Sequence, residues 1–218
     1  MISEKILNKI GDFTKAKIQK SLYSEWNELN RSIFVHVPKD GGNSIATALG
    51  IIVSKHTIAA QYKFSSGSKF EEYFKFDFLR NHDSRLISTY YFLLKGGINN
   101  YDEDFSTNKI IPYGNLDHFV NLGLANDPII QDWIQFVPQS KFLSDLNGKI
   151  LVDFIGKFEN LYIDFKHISN TLKIISNLPH LNQGVFQSEN SKLSPAAIRV
   201  VNDFYASDFQ LFCYTSAP

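Results

Sequence analysis

Cysteine is almost absent from this chain, and neither sign of charge is in excess. The 218 residues include one cysteine, Cys213, which excludes an intrachain disulfide and any metal site that needs several thiolates. Lysine and arginine together number 22, as do aspartate and glutamate. A balanced charge does not favour nucleic acid or an anionic membrane as a partner. The histidines show no metal-ligand spacing, so the sequence predicts no metal site.

Long apolar runs are absent as well. No stretch approaches the ~20 residues that a membrane-spanning helix needs. The first residues mix Lys5, Lys9 and Asp12 with apolar side chains, which is not the pattern of a signal peptide. The sequence therefore predicts a cytoplasmic protein of bacterial type without a membrane anchor. No linker rich in proline, glycine or serine divides the chain, so we expect one domain over residues 31–218, preceded by a helical segment over residues 1–30.

A glycine loop is the most informative segment of the chain. Residues 33–37 have the length and the branched side chains of a buried parallel strand, and Ser44 precedes apolar residues at helical spacing. Paired glycines let backbone N–H groups approach an anion. The start of a helix adds partial positive charge, and Lys39 adds a full one. The segment therefore predicts a phosphate site.

A second segment carries further groups for binding phosphate. Residues 75–80 alternate as a strand does and end in Arg80, and residues 83–94 show helical spacing and include Ser88. A guanidinium can hold a phosphate by two parallel hydrogen bonds, and a hydroxyl on the next helix can add another. The alternation of strands and helices predicts an α/β fold, a parallel sheet covered by helices on both faces. Lys39 and Arg80 would then lie at the carboxyl ends of its strands.

The order of residues in the glycine loop resembles the 5′-phosphosulfate loop of sulfotransferases that use 3′-phosphoadenosine 5′-phosphosulfate (PAPS). In the P-loop of nucleotide triphosphatases the lysine follows the glycines, whereas here it precedes them. The residues that match the sulfotransferase pattern are Pro38, Lys39, Gly41, Gly42 and Ser44. Asp40 and Asn43 depart from it, since the family has threonine at both positions. An aspartate beside a polyanion is repulsive unless it points away or is paired.

The second segment is similar to the 3′-phosphate-binding segment of the same enzymes. Arg80, Asn81, Arg85 and Ser88 match that segment in order, and His82 stands where the family has proline. The resemblance covers roughly residues 33–214 and is to the carbohydrate-type sulfotransferases. It implies a P-loop-like sheet and transfer of a sulfuryl group from PAPS to a hydroxyl of a carbohydrate or glycan acceptor. The cofactor-binding residues that it implies are Lys39, Gly41, Gly42, Asn43, Ser44, Arg80 and Ser88, with Lys39 also catalytic.

Transfer to a hydroxyl requires a base for the acceptor proton, and a histidine with a pKa near neutrality suits that role. His56 is our leading candidate, because related enzymes have a lysine-histidine step in a similar place. A purely structural histidine is an equally good interpretation. Glu159, Glu71 and Glu72 are carboxylate alternatives that the sequence does not rank. Family enzymes also use basic residues late in the chain to hold the 3′-phosphate, and here the nearest substitute is Lys192.

Two other functions remain open at this point. The first is a non-catalytic protein of the sulfotransferase fold that binds the nucleotide but has lost turnover through Asp40 and the altered turn at residue 82. The second is a Mg²⁺-dependent kinase or nucleotide triphosphatase that uses Lys39 and Asp153, because Asp153 follows an apolar run as a Walker-B acid does. No feature of the sequence sets the oligomeric state.

Three further expectations concern secondary structure. The sequence predicts a polar, irregular loop over residues 99–115. Loops of that length are often functional, and this one could border the acceptor cleft. It predicts a buried strand over residues 149–155 and a helix over residues 161–175. It also predicts one last helix that begins at Pro195 and continues through Phe209.

Overall fold

The structure is a computed structural model that describes residues 22–52, 56–179 and 192–214. It is a mixed α/β fold. The first half of the described chain contains α1 (Glu25–Asn30), β1 (Ser32–Phe34), α2 (Gly42–Leu49), α3 (Ala59–Ser65), α4 (Gly67–Glu72), β2 (Phe74–Leu79) and α5 (His82–Leu94). The second half contains α6 (Asn100–Lys109), α7 (Leu116–His118), α8 (Pro128–Gln131), α9 (Ser140–Leu143), β3 (Phe154–Lys157), α10 (Leu161–Leu172), α11 (Pro195–Phe204) and α12 (Ala206–Phe212). Short 3₁₀ turns cover Ile111–Tyr113 and Phe158–Asn160, and a π-helical turn, Phe119–Leu124, continues α7.

The strands form a parallel sheet in the order β1-β2-β3 within the described residues. Ser32 lies beside Phe74 in the first ladder, and Leu79 lies beside Lys157 in the second. The predicted α/β class and the parallel sheet are therefore confirmed. Because all strands run in one direction, the segments that follow β1, β2 and β3 leave the sheet at the same edge. This carboxyl edge of the sheet is where the glycine loop lies.

Side chains alternate along the strands between two separate apolar clusters. Phe34, Phe76 and Phe78 pack with α2 and α10, whose buried residues include Ile45 and Phe165. Ile33, Val35 and Leu79, each next in sequence to one of these phenylalanines, belong to the other cluster, together with residues of α3, α4, α9 and α12. The strand and loop members of that second cluster also include Val37 and Leu151. The two-residue period of a strand thus divides the sheet residues between different groups of helices.

A third cluster within the described residues contains no strand residue. It joins α5, α6, α8, α11 and the π-helical turn, and Leu86, Phe105, Phe119 and Val201 are among its buried members. Tyr205 belongs to the same cluster and donates a hydrogen bond to the carbonyl oxygen of Phe136 at 2.8 Å. Leu86, Tyr90 and Leu93 of α5 are buried in this cluster, which therefore holds the helix that follows Arg80.

The expectation of an irregular segment over residues 99–115 is wrong. Most of that segment is α6, because the side chain of Asn99 caps the helix by accepting from the N–H of Asp102 at 3.0 Å. Phe105 and Ile110 are buried on one side of it. The segment is polar because only a narrow stripe of this helix faces the core, which the apolar spacing alone did not reveal.

The strand predicted over residues 149–155 begins later than expected. Residues before Asp153 pack into the core without joining the ladder, and Ile150 makes an isolated antiparallel bridge with Ser144. β3 itself covers Phe154–Lys157. The last helix is also different from the prediction, since Tyr205 separates α11 from α12.

Other boundaries agree more closely with the sequence. The helix after Arg80 covers His82–Leu94, and the helix predicted over residues 161–175 ends at Leu172. Of the predicted N-terminal helical segment, residues 1–21 lie outside the described residues, and the remainder includes α1. No helix in the described ranges is both long and apolar enough to cross a membrane.

Candidate active site

The glycine loop connects β1 to α2 through two residues with left-handed backbone. Lys39 has φ +74° and Gly41 has φ +82°. Gly41 is the N-cap of α2, so the helix begins at Gly42, and Ser44 lies inside its first turn rather than before it. The first N–H groups of a helix have no partner within the helix. The loop can therefore present N–H groups and the positive end of α2 to an anion.

Aromatic rings pack against both glycines of the loop. A Cβ atom at Gly42 would lie 2.1 Å from the imidazole of His36, and one at Gly41 would lie 3.1 Å from the ring of Phe158. The His36 ring is in turn stacked on Phe34, with 5.4 Å between centroids. The loop is thus held from the strand side by an imidazole and from the β3 side by a phenyl ring.

His56 lies next to this loop through His36. Its Nδ1 is 2.9 Å from the carbonyl oxygen of His36, and the two rings are 4.6 Å apart between centroids. A carbonyl oxygen only accepts hydrogen bonds, so Nδ1 carries the proton and Nε2 keeps its lone pair. Burial lowers the pKa of His56 despite the opposing effect of this hydrogen bond. The neighbouring Lys55 lies outside the described residues.

Arg80 follows β2 and reaches the same loop. Its Nε donates to Ser84 Oγ at 2.9 Å, and its Nη1 donates to the carbonyl oxygen of Lys39 at 3.4 Å. The guanidinium lies 4.4 Å from the centroid of the Phe158 ring. Ser84 and Phe158 are not among the predicted site residues. The spacing of Ser84, four residues after Arg80 at the start of a helix, is the one signal that could have indicated its contact. The structure therefore brings Arg80 beside Lys39, as the sheet topology predicted.

The turn at residue 82 is regular although the family proline is replaced. The Asn81 side chain caps α5 by accepting from the N–H of Ser84 at 3.2 Å. His82 is buried between aromatic rings, and its Nε2 lies 3.4 Å from Asp208 Oδ2. Ser88 lies further along α5 and is buried. His82 therefore stands at the first position of a capped helix that also carries Ser88.

The ammonium of Lys39 lies over an aromatic ring on α5. Nζ is 3.9 Å from the centroid of Phe92. Burial lowers the pKa of Lys39 to about 8, the positive charge of Arg80 adds to the effect, and Asp40 and Asp102 oppose it. Lys39 is therefore charged at neutral pH and loses its charge within a mildly alkaline range.

Asp40 is buried beneath the loop and forms an ion pair there. Its Oδ1 lies 3.4 Å from the Nε of Arg85, and both side chains are 1% exposed. Arg85 also donates to the carbonyl oxygens of Pro38 at 3.0 Å and Val137 at 3.1 Å. Burial raises the pKa of Asp40 well above its usual value, although Arg85 and Arg80 act in the opposite sense. The aspartate is thus paired inside the protein, which the sequence alone could not decide.

The carboxylate alternatives to His56 lie in different places. Glu159 follows β3 at the carboxyl edge, where it accepts from the N–H of Asn81 at 2.7 Å and from the hydroxyl of Tyr214 at 3.2 Å. Glu71 and Glu72 precede β2 and so lie at the opposite edge of the sheet. Of the three, Glu159 alone lies near the glycine loop, and it serves there as a hydrogen-bond acceptor for the turn after β2.

Asp153 precedes β3 and lies at the amino edge of the sheet. It accepts from the backbone N–H of Lys75 at 2.8 Å and pairs with the Lys75 ammonium at 3.0 Å. A Walker-B acid has to follow its strand to reach a metal ion beside the phosphate loop. The geometry therefore separates Asp153 from Lys39 by the length of the sheet and does not support a kinase site.

The remaining candidates are Lys192, as a contact for the 3′-phosphate, and possible metal ligands. Lys192 is exposed just before α11, and residues 183–187 lie outside the described residues. Within the ranges that the structure describes, no group of three or more histidine, cysteine, aspartate or glutamate side chains is arranged to hold a metal ion.

Comparison with known proteins gives one match. The model of the sulfotransferase family matches residues 31–215, which include β1, the glycine loop, the Arg80 turn and every later element. No curated protein and no solved structure matches the chain.

Proposed function

The chain belongs to the sulfotransferase family, and on that premise we propose that it transfers the sulfuryl group of PAPS to a hydroxyl of a carbohydrate acceptor. The observation that carries the proposal is the convergence of Lys39, Arg80 and His56 around one glycine loop. The loop belongs to a domain that we assign to residues 31–218, since the family match begins at residue 31.

The residues around the loop fit the donor chemistry. PAPS carries negative charge at both ends of its ribose, and the loop has two cationic side chains beside the N-terminus of α2. We assign the 5′-phosphosulfate to Lys39 and the first turn of α2, including Gly41, Gly42, Asn43 and Ser44. We assign the 3′-phosphate to Arg80 and Ser88. Asp40 does not oppose this assignment, because Arg85 neutralises it inside the protein.

The chemistry of transfer divides between two side chains. When bound, PAPS supplies the sulfuryl group and departs as 3′,5′-bisphosphoadenosine (PAP). Lys39 stabilises the charge that grows on the phosphate oxygen as the S–O bond breaks, so its contribution is larger in the transition state than in the ground state. His56 Nε2 accepts the proton of the acceptor hydroxyl, and its Nδ1 is held by the carbonyl oxygen of His36.

The fold that we assign to this function is P-loop-like, with helices on both faces of the sheet. It is supported by the alternation of sheet side chains between two helical clusters. It is also supported by the position of the loop between β1 and α2. The carbohydrate acceptor rests on the resemblance of the glycine loop and the Arg80 segment to carbohydrate-type enzymes.

Ligand-dependent stability tests the donor directly. PAP should raise the free energy of unfolding by about 2.7 kcal/mol at 100 times its dissociation constant, because it binds only the folded state. ATP with Mg²⁺ should raise it much less, since Asp153, the acid that resembles a Walker-B residue, lies at the opposite edge of the sheet and pairs with Lys75. The measurement is thermal unfolding with each nucleotide, with Arg80→Ala as a control that should lose most of the PAP effect.

Equal stabilisation by PAP and by ATP with Mg²⁺ would contradict the proposal. A transfer assay with labelled PAPS and a panel of neutral and acidic glycans then identifies the acceptor. Tight PAP binding without transfer to any glycan would instead identify a non-catalytic nucleotide-binding protein.

A further inference from the structure

The ammonium of Lys39 lies over the ring of Phe92, a residue to which the proposed sulfuryl transfer gives no role. Phe92 lies on α5 near its end, remote in sequence from the glycine loop. Phe92 is partly buried against the helical cluster of α5, α6 and α11, and the ammonium of Lys39 lies 3.9 Å from its ring centroid. The Phe92 ring therefore contacts both the helical core and Lys39, the cationic residue of the glycine loop.

The backbone of Lys39 explains why an external support is needed. Its φ of +74° lies in the left-handed region, where lysine is uncommon, so the loop fixes the direction in which the side chain leaves. A lysine side chain has four rotatable bonds, and holding it in one place costs conformational entropy. An aromatic face attracts an ammonium electrostatically, and the attraction is stronger where water is partly excluded.

We propose that Phe92 is a positioning residue, whose ring holds the ammonium of Lys39 beside the glycine loop in readiness for the phosphosulfate group. The proposal rests on the function assigned to Lys39 above. Phe92 contacts no reacting atom. Its effect on transfer comes only from the position that it gives to the Lys39 ammonium.

The charged groups that face Lys39 come from several elements. Asp40 belongs to its own loop, Arg80 to the turn after β2, Arg85 to α5, and Asp102 to α6. The two arginines and burial disfavour the ammonium, while the two aspartates favour it. The Phe92 ring adds a further attraction for the charged form only. Removing the ring, with all four charges left in place, should therefore shift the titration of Lys39 to lower pH.

The test compares Phe92→Leu with Phe92→Tyr. In Phe92→Leu we expect the titration of Lys39 to move down by about 0.5 to 1 pH unit, the size expected for a partly desolvated cation–π contact. In Phe92→Tyr, which keeps the ring, the titration should stay where it is in the parent protein. The measurement is NMR of labelled lysine side chains in the ligand-free protein, with Lys39→Arg used to assign the signal.

Kinetics provide the second readout. The alkaline limb of kcat/KM for PAPS reports groups of the free enzyme, so it should move down with the Lys39 titration in Phe92→Leu and return in Phe92→Tyr. Phe204→Leu is the matched control, because Phe204 is a half-buried phenylalanine packed on the same helical cluster. It should leave the limb unchanged. Phe92→Met keeps the bulk without the ring and replaces Phe92→Leu if that variant does not fold.

The two proposals fail in different ways. An unchanged Lys39 titration in Phe92→Leu or Phe92→Met overturns the positioning role, whatever the protein catalyses. A titration that shifts as expected, in a protein that neither binds PAP nor transfers a sulfuryl group, supports the contact and contradicts the proposed function.

Discussion

His36 and His56 share one corner of the site but differ in how they can use a proton. Burial and the proximity of His56 lower the pKa of His36 to about 3, so its imidazole stays neutral at any pH near neutrality. His36 therefore supports the loop by packing against Gly42. His56 is only half-buried, and its Nε2 is the nitrogen with a free lone pair. Of the two histidines, His56 is the one suited to exchange a proton with an acceptor.

Replacing His56 by alanine tests this difference. A positioned general base contributes on the order of 10² to 10⁴ in rate, so His56→Ala should lower kcat at least by the lower factor. Burial lowers the pKa of His56, and an imidazolium cannot accept a proton. The acidic limb of kcat/KM, which reports groups of the free enzyme, should therefore lie below the usual histidine value of about 6.5 in the parent enzyme. Steady-state assays across this range check both expectations.

Binding provides the control for the same variant. PAP affinity, measured by calorimetry, should be nearly unchanged in His56→Ala, and kcat should be nearly unchanged in His118→Ala, which replaces an exposed histidine on α7. Full activity of His56→Ala would transfer the role of base to Glu159, the carboxylate at the same edge of the sheet.

The sequence predicted that Lys39 and Arg80 lie at the carboxyl edge of the sheet, but not which side chains pack against them. Lys39 and Arg80 could be predicted because each follows a strand of recognisable pattern. Phe92 and Phe158 could not, since their contacts depend on the rotation of α5 and on the turn after β3. Asp40 shows the same limit, because its effect on an anion depends on whether Arg85 reaches it.

The polar composition of residues 100–109 indicated a loop, but the segment is the helix α6 because its first turn is capped. Its sequence is rich in polar residues, yet Asn99 supplies the first N–H groups with an acceptor, and Asp102 also accepts from the N–H of Ile98 at 3.1 Å. A capped helix needs only a narrow apolar stripe to be stable on a core.

Removing the cap should therefore destabilise α6. Asn99→Ala is expected to lower the free energy of unfolding by about 0.5–2 kcal/mol, because an N-cap side chain is lost. Asn108→Ala is the matched control near the other end of the helix, where alanine is the better helix former and the change should be neutral or slightly stabilising. Urea unfolding measures the free energy of unfolding of both variants. Equal changes in the two variants would mean that Asn99 does not act as a cap.

β3 illustrates how burial can imitate a strand. Residues 150–152 are apolar because they lie in or against the core, and the N–H of Leu151 is bonded to the carbonyl oxygen of Leu143 rather than to the sheet. The ladder begins only after Asp153, whose carboxylate accepts from the N–H of Lys75. Apolar spacing reports contact with a core, whereas pairing depends on hydrogen-bond partners that the sequence does not contain.

The molecule as a whole is tied together by Arg85. Its guanidinium contacts the glycine loop through Pro38, the segment before α9 through Val137, and the carboxylate of Asp40. Pro38 and Asp40 belong to the glycine loop, Val137 to the segment before α9 and Arg85 itself to α5, so three parts of the chain meet at this guanidinium. The position of the glycine loop relative to the helical core thus depends on one buried cation.

Arg85→Met should lower the free energy of unfolding by about 3–5 kcal/mol, because it leaves a buried charge without its partner. The loss should grow with pH. Burial raises the pKa of Asp40 and Arg85 opposes that rise, so removing Arg85 raises the pKa further in the folded protein. The protonated carboxyl is tolerated in acid, whereas its ionised form, which is favoured as pH rises, is left buried without a partner. Denaturant unfolding at mildly acidic and mildly alkaline pH measures both effects.

Two comparisons accompany Arg85→Met. Adding Asp40→Asn should recover part of the loss, since it removes the uncompensated charge. Arg31→Met breaks an ion pair with Glu72 whose side chains are 63% and 59% exposed, and such a pair contributes at most about 1 kcal/mol. A loss in Arg85→Met no larger than that in Arg31→Met would show that the Asp40 pair is dispensable.

The central position of β2 has a consequence for the growing polypeptide. During translation β2 emerges long before β3, so one of its edges stays without hydrogen-bond partners while the intervening residues are made. Its phenylalanines would make that edge prone to aggregation. Lys75 and Asp77 interrupt them and are almost fully buried in the folded sheet, where burial of charge is costly. Charged residues within an apolar strand oppose edge-to-edge pairing of the unfolded chain, and in the folded sheet Lys75 is compensated by Asp153 at 3.0 Å.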